Sequence, residues 1–121
     1  MKKILIVDDD EMTRSSLKSI LSTNKDFALD FSNDGVDAVG KIRGGHYDLV
    51  LLDLALPKID GYEVLKSIRG IYPELPVFFV SGKADPQKVE HSLMKDKLNG
   101  FIEKPFAPAE VLDLVKKALK I

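Results

Sequence analysis

Short, continuous apolar runs alternate with longer amphipathic stretches along the chain, and this alternation restricts the possible fold more than any other feature of the sequence. Residues 4–7, 49–52 and 77–80 are each a run of four apolar residues. Such runs are typical of parallel strands that are covered on both faces. Residues 27–31 alternate in polarity and predict an edge strand, and residues 100–102 predict a short fifth strand.

Apolar residues recur at helical spacing in the stretches between these runs. Five helices are predicted, and they begin near Asp10, Asp34, Asp60, Pro86 and Pro108. Five strand–helix units in strict alternation predict an α/β fold, a doubly wound parallel sheet of five strands with five helices. Because 121 residues are the length of one ordinary domain, we expect residues 1–121 to form a single domain.

The composition excludes several classes of protein. Hydrophobic residues make up 45% of the chain and charged residues 31%, which favours a soluble folded core over disorder. The net charge is −1, which argues against direct binding of nucleic acid or of a membrane surface. No apolar run approaches the ~20 residues of a membrane span or the roughly 7–15 of a signal peptide, so a cytoplasmic location is predicted. The absence of cysteine excludes disulfides and thiolate chemistry.

Polar residues follow the predicted strands at the points where a parallel sheet binds its ligands. Asp8 and Asp9 come after the first strand, and Asp53 comes after the third. Ser81 follows the fourth strand and Lys104 the fifth. The carboxyl ends of parallel strands share one edge of the sheet, so we expect these five residues to lie along one rim.

The residue types on this rim favour phosphoryl chemistry at a metal ion. Clustered carboxylates need a cation to remain charged, and a donor set of oxygens without sulfur or histidine favours Mg²⁺. The presence of Lys104 opposite the metal is explained if an anion lies between the two positive charges, and the Ser81 hydroxyl can bind that anion. Asp53 is the best candidate for a nucleophile, because it stands alone at the end of the central strand. Asp10 and Glu11 are better explained as a helix cap and a first-turn partner of the helix dipole.

Five motifs of the chain together resemble those of a known family, and they lie at residues 4–9, residues 53–57, Asp60-Gly61, Ser81-Gly82 and residues 104–106. Through these motifs the chain resembles the receiver domain of two-component response regulators over essentially its whole length. This resemblance implies the flavodoxin-like strand order 2-1-3-4-5. It also implies that Asp53 accepts a phosphoryl group from the phosphohistidine of a sensor histidine kinase or of a phosphotransfer protein.

The resemblance also implies a role for each residue of the metal site. Asp9 would bind Mg²⁺ directly and Asp8 would bind it through water. Asp53 and the backbone carbonyl of Ala55 would complete the ligands that the protein supplies.

A second group of residues would bind the phosphoryl group and report its arrival. By the resemblance, Ser81 and Lys104 bind phosphoryl oxygens. Phe101 stands at the aromatic switch position, where the ring turns inward as Ser81 follows the phosphate. The Lys104–Pro105 peptide bond would be cis, a state that proline makes accessible.

Several positions depart from the commonest pattern of the family. Phe101 lacks the hydroxyl of the tyrosine that is frequent there, so only packing could report the switch. Ala55 and Lys83 occupy positions whose side chains commonly tune dephosphorylation. Ala55 offers no polar group to orient water and Lys83 could shield the phosphate, so we expect a long-lived phosphorylated form. Residues 93–99 lack the usual small residues, so the exit of the fourth helix, near a surface where partners often bind, is predicted to differ.

Two other functions are compatible with a carboxylate-rich rim. A Mg²⁺-dependent phosphatase of the haloacid-dehalogenase type would carry a second aspartate where Ala55 stands. A receiver-like interaction module that takes no phosphate would usually have lost an acidic residue or the lysine, and this chain has all of them. Because the sequence stops at Ile121, we expect either a stand-alone regulator that acts on a downstream protein or a receiver cut from a chain with an output domain. It could form a homodimer through the face of the fourth helix, fifth strand and fifth helix.

Overall fold

The computed structural model describes residues 1–82 and 84–121. Lys83 and its predicted shielding role therefore lie outside the described residues. Strands and helices alternate as the sequence predicts, in the order β1 (Lys2–Val7), α1 (Glu11–Leu21), β2 (Phe27–Ser32), α2 (Gly35–Gly44), β3 (Leu49–Leu52), α3 (Gly61–Ile71), β4 (Val77–Ser81), α4 (Pro86–Lys95), β5 (Gly100–Glu103) and α5 (Pro108–Leu119).

The five strands form one parallel sheet in the order β2-β1-β3-β4-β5. This confirms both the doubly wound α/β fold and the strand order that the resemblance implied. All four residues of β3 are buried, since β3 lies at the centre between β1 and β4. β2 is an edge strand, as its weaker apolar pattern predicted.

The helices cover both faces of the sheet, and consecutive strand residues point to opposite faces. Ile4 of β1 packs on the face that α1 and α5 cover, whereas Leu5 packs on the face that α2 and α3 cover. This division explains the continuous apolar runs, because every side chain of an inner strand meets a core. None of the helices in the described part of the chain combines the length and apolarity needed to cross a membrane.

Four of the helices begin with an aspartate cap at the same edge of the sheet. The side chains of Asp10, Asp34, Asp60 and Asp85 each accept a hydrogen bond from a backbone N–H in the first turn of the helix that follows. Such a cap contributes about 1 kcal/mol and fixes where the helix starts. The expectation that Asp10 is a cap is therefore confirmed, and the loops that end on these caps have defined positions.

The exit of α4 is held by an arginine from the neighbouring helix. The Arg69 guanidinium donates hydrogen bonds to the carbonyl oxygens of Asp96 at 2.8 Å, Lys97 at 3.0 Å and Tyr72 at 3.0 Å. Lys97 has a left-handed backbone with φ of 50°. The guanidinium thus satisfies carbonyl groups that the ends of α3 and α4 leave without helical partners.

Candidate functional site

Asp8 and Asp53 lie side by side because they follow paired residues of neighbouring strands. Val7 of β1 pairs with Leu52 of β3, and the backbone N–H of Asp53 donates to the Val7 carbonyl oxygen at 2.9 Å. Asp8 is 1% exposed and Asp53 6% exposed, so both carboxylates are withdrawn from bulk water. The register of two strands is therefore what brings two acidic groups together in a buried place.

Asp9 completes a cluster of three carboxylates. Asp8, Asp9 and Asp53 each contribute one carboxylate oxygen to a group in which all oxygens lie within 4.8 Å of one another. Asp9 is exposed to solvent, so the cluster opens to water on one side. Three converging carboxylate oxygens fit a hard divalent cation, which prefers oxygen ligands and keeps some of its water.

Lys104 reaches this cluster from the far edge of the sheet. Its Nζ lies 3.0 Å from Oδ2 of Asp8 and 3.8 Å from Oδ2 of Asp53. Its backbone N–H donates to the carbonyl oxygen of Ser81 at 3.0 Å, which ties the end of β5 to the end of β4. Ser81 itself is 4% exposed. The structure thus brings the lysine into contact with two of the three carboxylates and places the buried serine at the adjoining strand end.

The surroundings of Asp53 disfavour the charged form of its carboxyl group. Burial raises the pKa of the Asp53 carboxyl to about 6, and the nearby charge of Asp8 adds to the effect. The Lys104 ammonium and the backbone N–H groups of Leu54 and Ala55 act in the opposite direction but do not compensate fully. A bound divalent cation would lower the pKa again, because it compensates for the hydration that Asp53 loses on burial and offsets its repulsion from Asp8.

The loop between β1 and α1 holds Asp8 from several sides. Oδ1 of Asp8 accepts a hydrogen bond from the backbone N–H of Asp10 at 2.9 Å. The Asp10 carboxylate accepts from Thr13 Oγ1 at 2.9 Å and from the N–H of Met12 at 3.1 Å, as a helix cap does. Nη1 of Arg14 donates to the carbonyl oxygen of Asp8 at 2.6 Å. Sequence reasoning missed Arg14, because its partner is a backbone carbonyl and such a partner leaves no trace in the pattern of side chains.

Gly61 is required by the loop that follows Asp53. A Cβ atom at Gly61 would lie 2.4 Å from the carbonyl oxygen of Asp53 and 2.8 Å from Cα of Leu54. The backbone N–H of Gly61 donates to the Leu54 carbonyl oxygen at 2.9 Å. Ala55 is exposed in the same loop and presents only a methyl group beside the site. The loop therefore folds tightly against the Asp53 peptide, and only glycine allows the approach.

The remaining predicted residues lie on β5 or directly after it. Phe101 is partly buried, pairs in register with Phe79 of β4 and lines a groove of about 390 Å³ between α4 and β5. The Lys104–Pro105 peptide bond is cis. Phe101 lies two residues before the end of β5, whereas Lys104 directly follows that end.

The sequence and the fold both match known proteins. The family model of the response regulator receiver domain matches residues 4–116. Response regulator MprA of Mycobacterium tuberculosis is 31% identical over 118 residues, which cover 98% of this chain and 50% of that protein. Transcriptional regulatory protein DltR of Streptococcus agalactiae is 33% identical over 121 residues, which cover 94% of this chain and 50% of that protein. The chain therefore spans about half the length of these curated relatives.

Solved structures show the same fold over the whole length. A response regulator receiver domain protein, described as CheY-like, from Methanospirillum hungatei JF-1 superposes with a TM-score of 0.93 at 29% identity. The match covers 99% of this chain and 94% of that one.

Proposed function

The chain belongs to the family of response regulator receiver domains, and on this premise we propose that it accepts a phosphoryl group on Asp53 in two-component signalling. Domains of this family interact with histidine kinases, and we propose a sensor histidine kinase or a phosphotransfer protein as the donor. Residues 1–121 would act as one receiver unit in the cytoplasm. The observation that carries the proposal is the buried position of Asp53 beside Asp8, with Lys104 Nζ 3.8 Å away.

In the proposed transfer, a carboxylate oxygen of Asp53 attacks phosphorus of the donor phosphohistidine. The new P–O bond forms as the P–N bond breaks, and the imidazole nitrogen leaves with the electron pair of that bond. Asp53 must be ionised to attack, and its pKa of about 6 leaves it mostly ionised at neutral pH. No further catalytic base is required, because the nucleophile is already a carboxylate.

Mg²⁺ is the cofactor that we propose for this site. The carboxylates of Asp8, Asp9 and Asp53 and the backbone carbonyl of Ala55 would hold it. When bound, the ion offsets the charge of the carboxylates and of the phosphoryl oxygens. Lys104 contributes the second positive charge, because its ammonium can move from Asp8 to a phosphoryl oxygen without leaving the rim.

Phosphorylation would then act as a switch. The aspartyl phosphate adds roughly −1.5 to −2 charge at the end of β3. Lys104 pairs with this charge, the Ser81 hydroxyl donates to a phosphoryl oxygen, and Phe101 packs inward behind it. The face of α4, β5 and α5 would repack and present a changed surface to a downstream protein. Formation of a homodimer through this face stays a prediction.

The direct test is to incubate the full chain with Mg²⁺ and a small acyl phosphate, and then to measure the intact mass. We expect one phosphoryl adduct that disappears when Mg²⁺ is chelated. Asp53→Asn should lack the adduct, whereas the matched control Asp113→Asn, at an exposed carboxylate on α5, should retain it. A parent protein that takes up no phosphoryl group, or an adduct that persists in Asp53→Asn, would refute the proposal.

A further inference from the structure

Arg14 of α1 contacts the backbone of Asp8, a member of the carboxylate cluster, and neither the sequence motifs nor the proposed transfer assigns it a role. Its Nη1 lies 2.6 Å from the carbonyl oxygen of Asp8, a short distance for an N–H to O hydrogen bond. Arg14 is partly buried, and its backbone N–H donates to the carbonyl oxygen of Asp10 at 3.1 Å. Its backbone is thus fixed in the helix, while its side chain turns back to the end of β1.

The hydrogen bond from Arg14 to the Asp8 carbonyl oxygen affects the position of Asp9 more than that of the Asp8 carboxylate. The Asp8 carboxylate is already held by the N–H of Asp10 at 2.9 Å and by Lys104 at 3.0 Å. The Asp9 carboxylate has no hydrogen-bond or ion-pair partner within residues 1–82 and 84–121. The carbonyl oxygen of Asp8 and the nitrogen of Asp9 belong to one planar peptide unit. Holding that oxygen therefore fixes the plane of this peptide and, with it, the direction of the N–Cα bond of Asp9, from which the Asp9 side chain extends.

Arg14 has two opposite effects on cation binding, one through its charge and one through its hydrogen bond. Arg14 donates to a neutral carbonyl group and is not paired with a carboxylate of the cluster. As a charge alone, a guanidinium beside three carboxylates would oppose the binding of a cation, because the two positive charges repel. As a hydrogen-bond donor, it would favour binding by holding the ligands in place before the ion arrives.

We propose that Arg14 is a positioning residue that strengthens divalent-cation binding by orienting Asp9 through the Asp8–Asp9 peptide. This inference rests on the proposed function only in requiring that the carboxylate cluster binds Mg²⁺. The two effects of Arg14 have opposite signs, so a single substitution decides which one dominates.

The experiment measures the Mg²⁺ dissociation constant of the full chain by calorimetry for the parent, Arg14→Met, Arg14→Gln and Arg14→Lys. We expect about a 10-fold weaker constant for Arg14→Met, the size typical of losing a group that orients a metal ligand. Arg14→Lys retains a donor of similar reach and should recover most of the affinity. Arg14→Gln removes the charge and keeps a shorter hydrogen-bond donor, so it should also bind Mg²⁺ more weakly than the parent. This variant keeps the test valid if Arg14→Met fails to fold.

Lys18→Met is the matched control, because Lys18 carries the same charge one turn further along α1 and has no contact with the cluster. Its affinity should equal that of the parent. Urea unfolding in EDTA checks that the variants are folded before Mg²⁺ is added. Unchanged or tighter binding by Arg14→Met and Arg14→Gln would overturn the inference and leave the magnesium site intact. Absence of binding by the parent would instead refute the proposed magnesium site, and the role of Arg14 with it.

Discussion

Replacing Asp53 by asparagine retains the size of the side chain and removes its charge, and we expect the cation-free protein to become more stable at neutral pH. Asp53 is nearly inaccessible to water and lies beside the carboxylate of Asp8, and both conditions disfavour its ionised form. Lys104 at 3.8 Å reduces this cost without removing it. The parent therefore carries an unfavourable negative charge on Asp53, and the proposed phosphoryl transfer requires that charge.

The magnitude follows from the pKa of the Asp53 carboxyl. Its value is about 6 in the folded protein against 3.8 ordinarily, which corresponds to about 3 kcal/mol of destabilisation once the group is ionised. Because the cluster opens to water at Asp9, solvent screening reduces the expected effect to about 2 kcal/mol. The pKa of Asp53 is higher in the folded protein, so the protonated carboxyl favours folding. This contribution to the unfolding free energy is complete below pH 3.8 and is lost as the pH rises through about 6. The unfolding free energy of Asp53→Asn should therefore exceed that of the parent by an amount that grows between about pH 3.8 and pH 6 and is constant above it.

Urea unfolding in EDTA, at about pH 5 and about pH 7.5, measures this advantage directly. We expect the difference in unfolding free energy between variant and parent at the lower pH to be about half of that at the higher pH. Added Mg²⁺ should stabilise the parent more than the variant and so narrow the difference. Asp113→Asn should show no comparable gain, since that carboxylate is exposed. An Asp53→Asn protein no more stable than the parent near neutral pH, or a difference that does not change with pH, would show that the reasoning is wrong.

Two further substitutions test the loop after Asp53. Ala55→Asn supplies an amide that can orient water, so the phosphorylated form should lose phosphate faster in a time course followed by intact mass; an unchanged rate would contradict the predicted long lifetime. Gly61→Ala should lower the unfolding free energy by about 1–3 kcal/mol, because its Cβ would lie 2.4 Å from the Asp53 carbonyl oxygen. Gly70→Ala is the matched control: apart from its chain neighbours and the backbone of its own helix, no atom of the described residues lies within 4 Å of the added Cβ, so the substitution should be neutral or raise the unfolding free energy by up to about 1 kcal/mol. Equal urea midpoints for the two glycine variants would argue against a close approach at Gly61.

The fold could be predicted from the sequence because its main signal is local. Residues 4–7, 49–52 and 77–80 are apolar at every position, and few folds bury both faces of a strand. The meeting of Asp8, Asp53 and Lys104 could also be predicted, since parallel strands place their carboxyl ends on one edge. These inferences require only the order of the elements and not the detail of their packing.

The contacts that escaped prediction are those in which a side chain binds the backbone. Arg14 reaches a carbonyl oxygen six residues away, and Arg69 reaches carbonyl oxygens 27 and 28 residues away. Every residue carries a carbonyl group, so no pattern of side chains reveals which one an arginine will find. The difference at the exit of α4 that residues 93–99 predict stays a prediction, and the arginine that binds this exit, Arg69, lies on another helix. The raised pKa of Asp53 likewise depends on burial, which only the packed structure supplies.

The ion pair between Lys104 and Asp8 joins residues that are 96 positions apart in the chain. Closing a loop of that length through one contact costs roughly 4 kcal/mol of chain entropy, more than an ion pair returns. The ion pair alone therefore cannot hold this loop closed, and the pairing of β5 with β4 must help to bring Lys104 to the carboxylates. The three carboxylates, in contrast, come together as soon as β1 pairs with β3. A chain without β5 and the residues after it would therefore hold the three carboxylates together without the Lys104 ammonium that pairs with two of them.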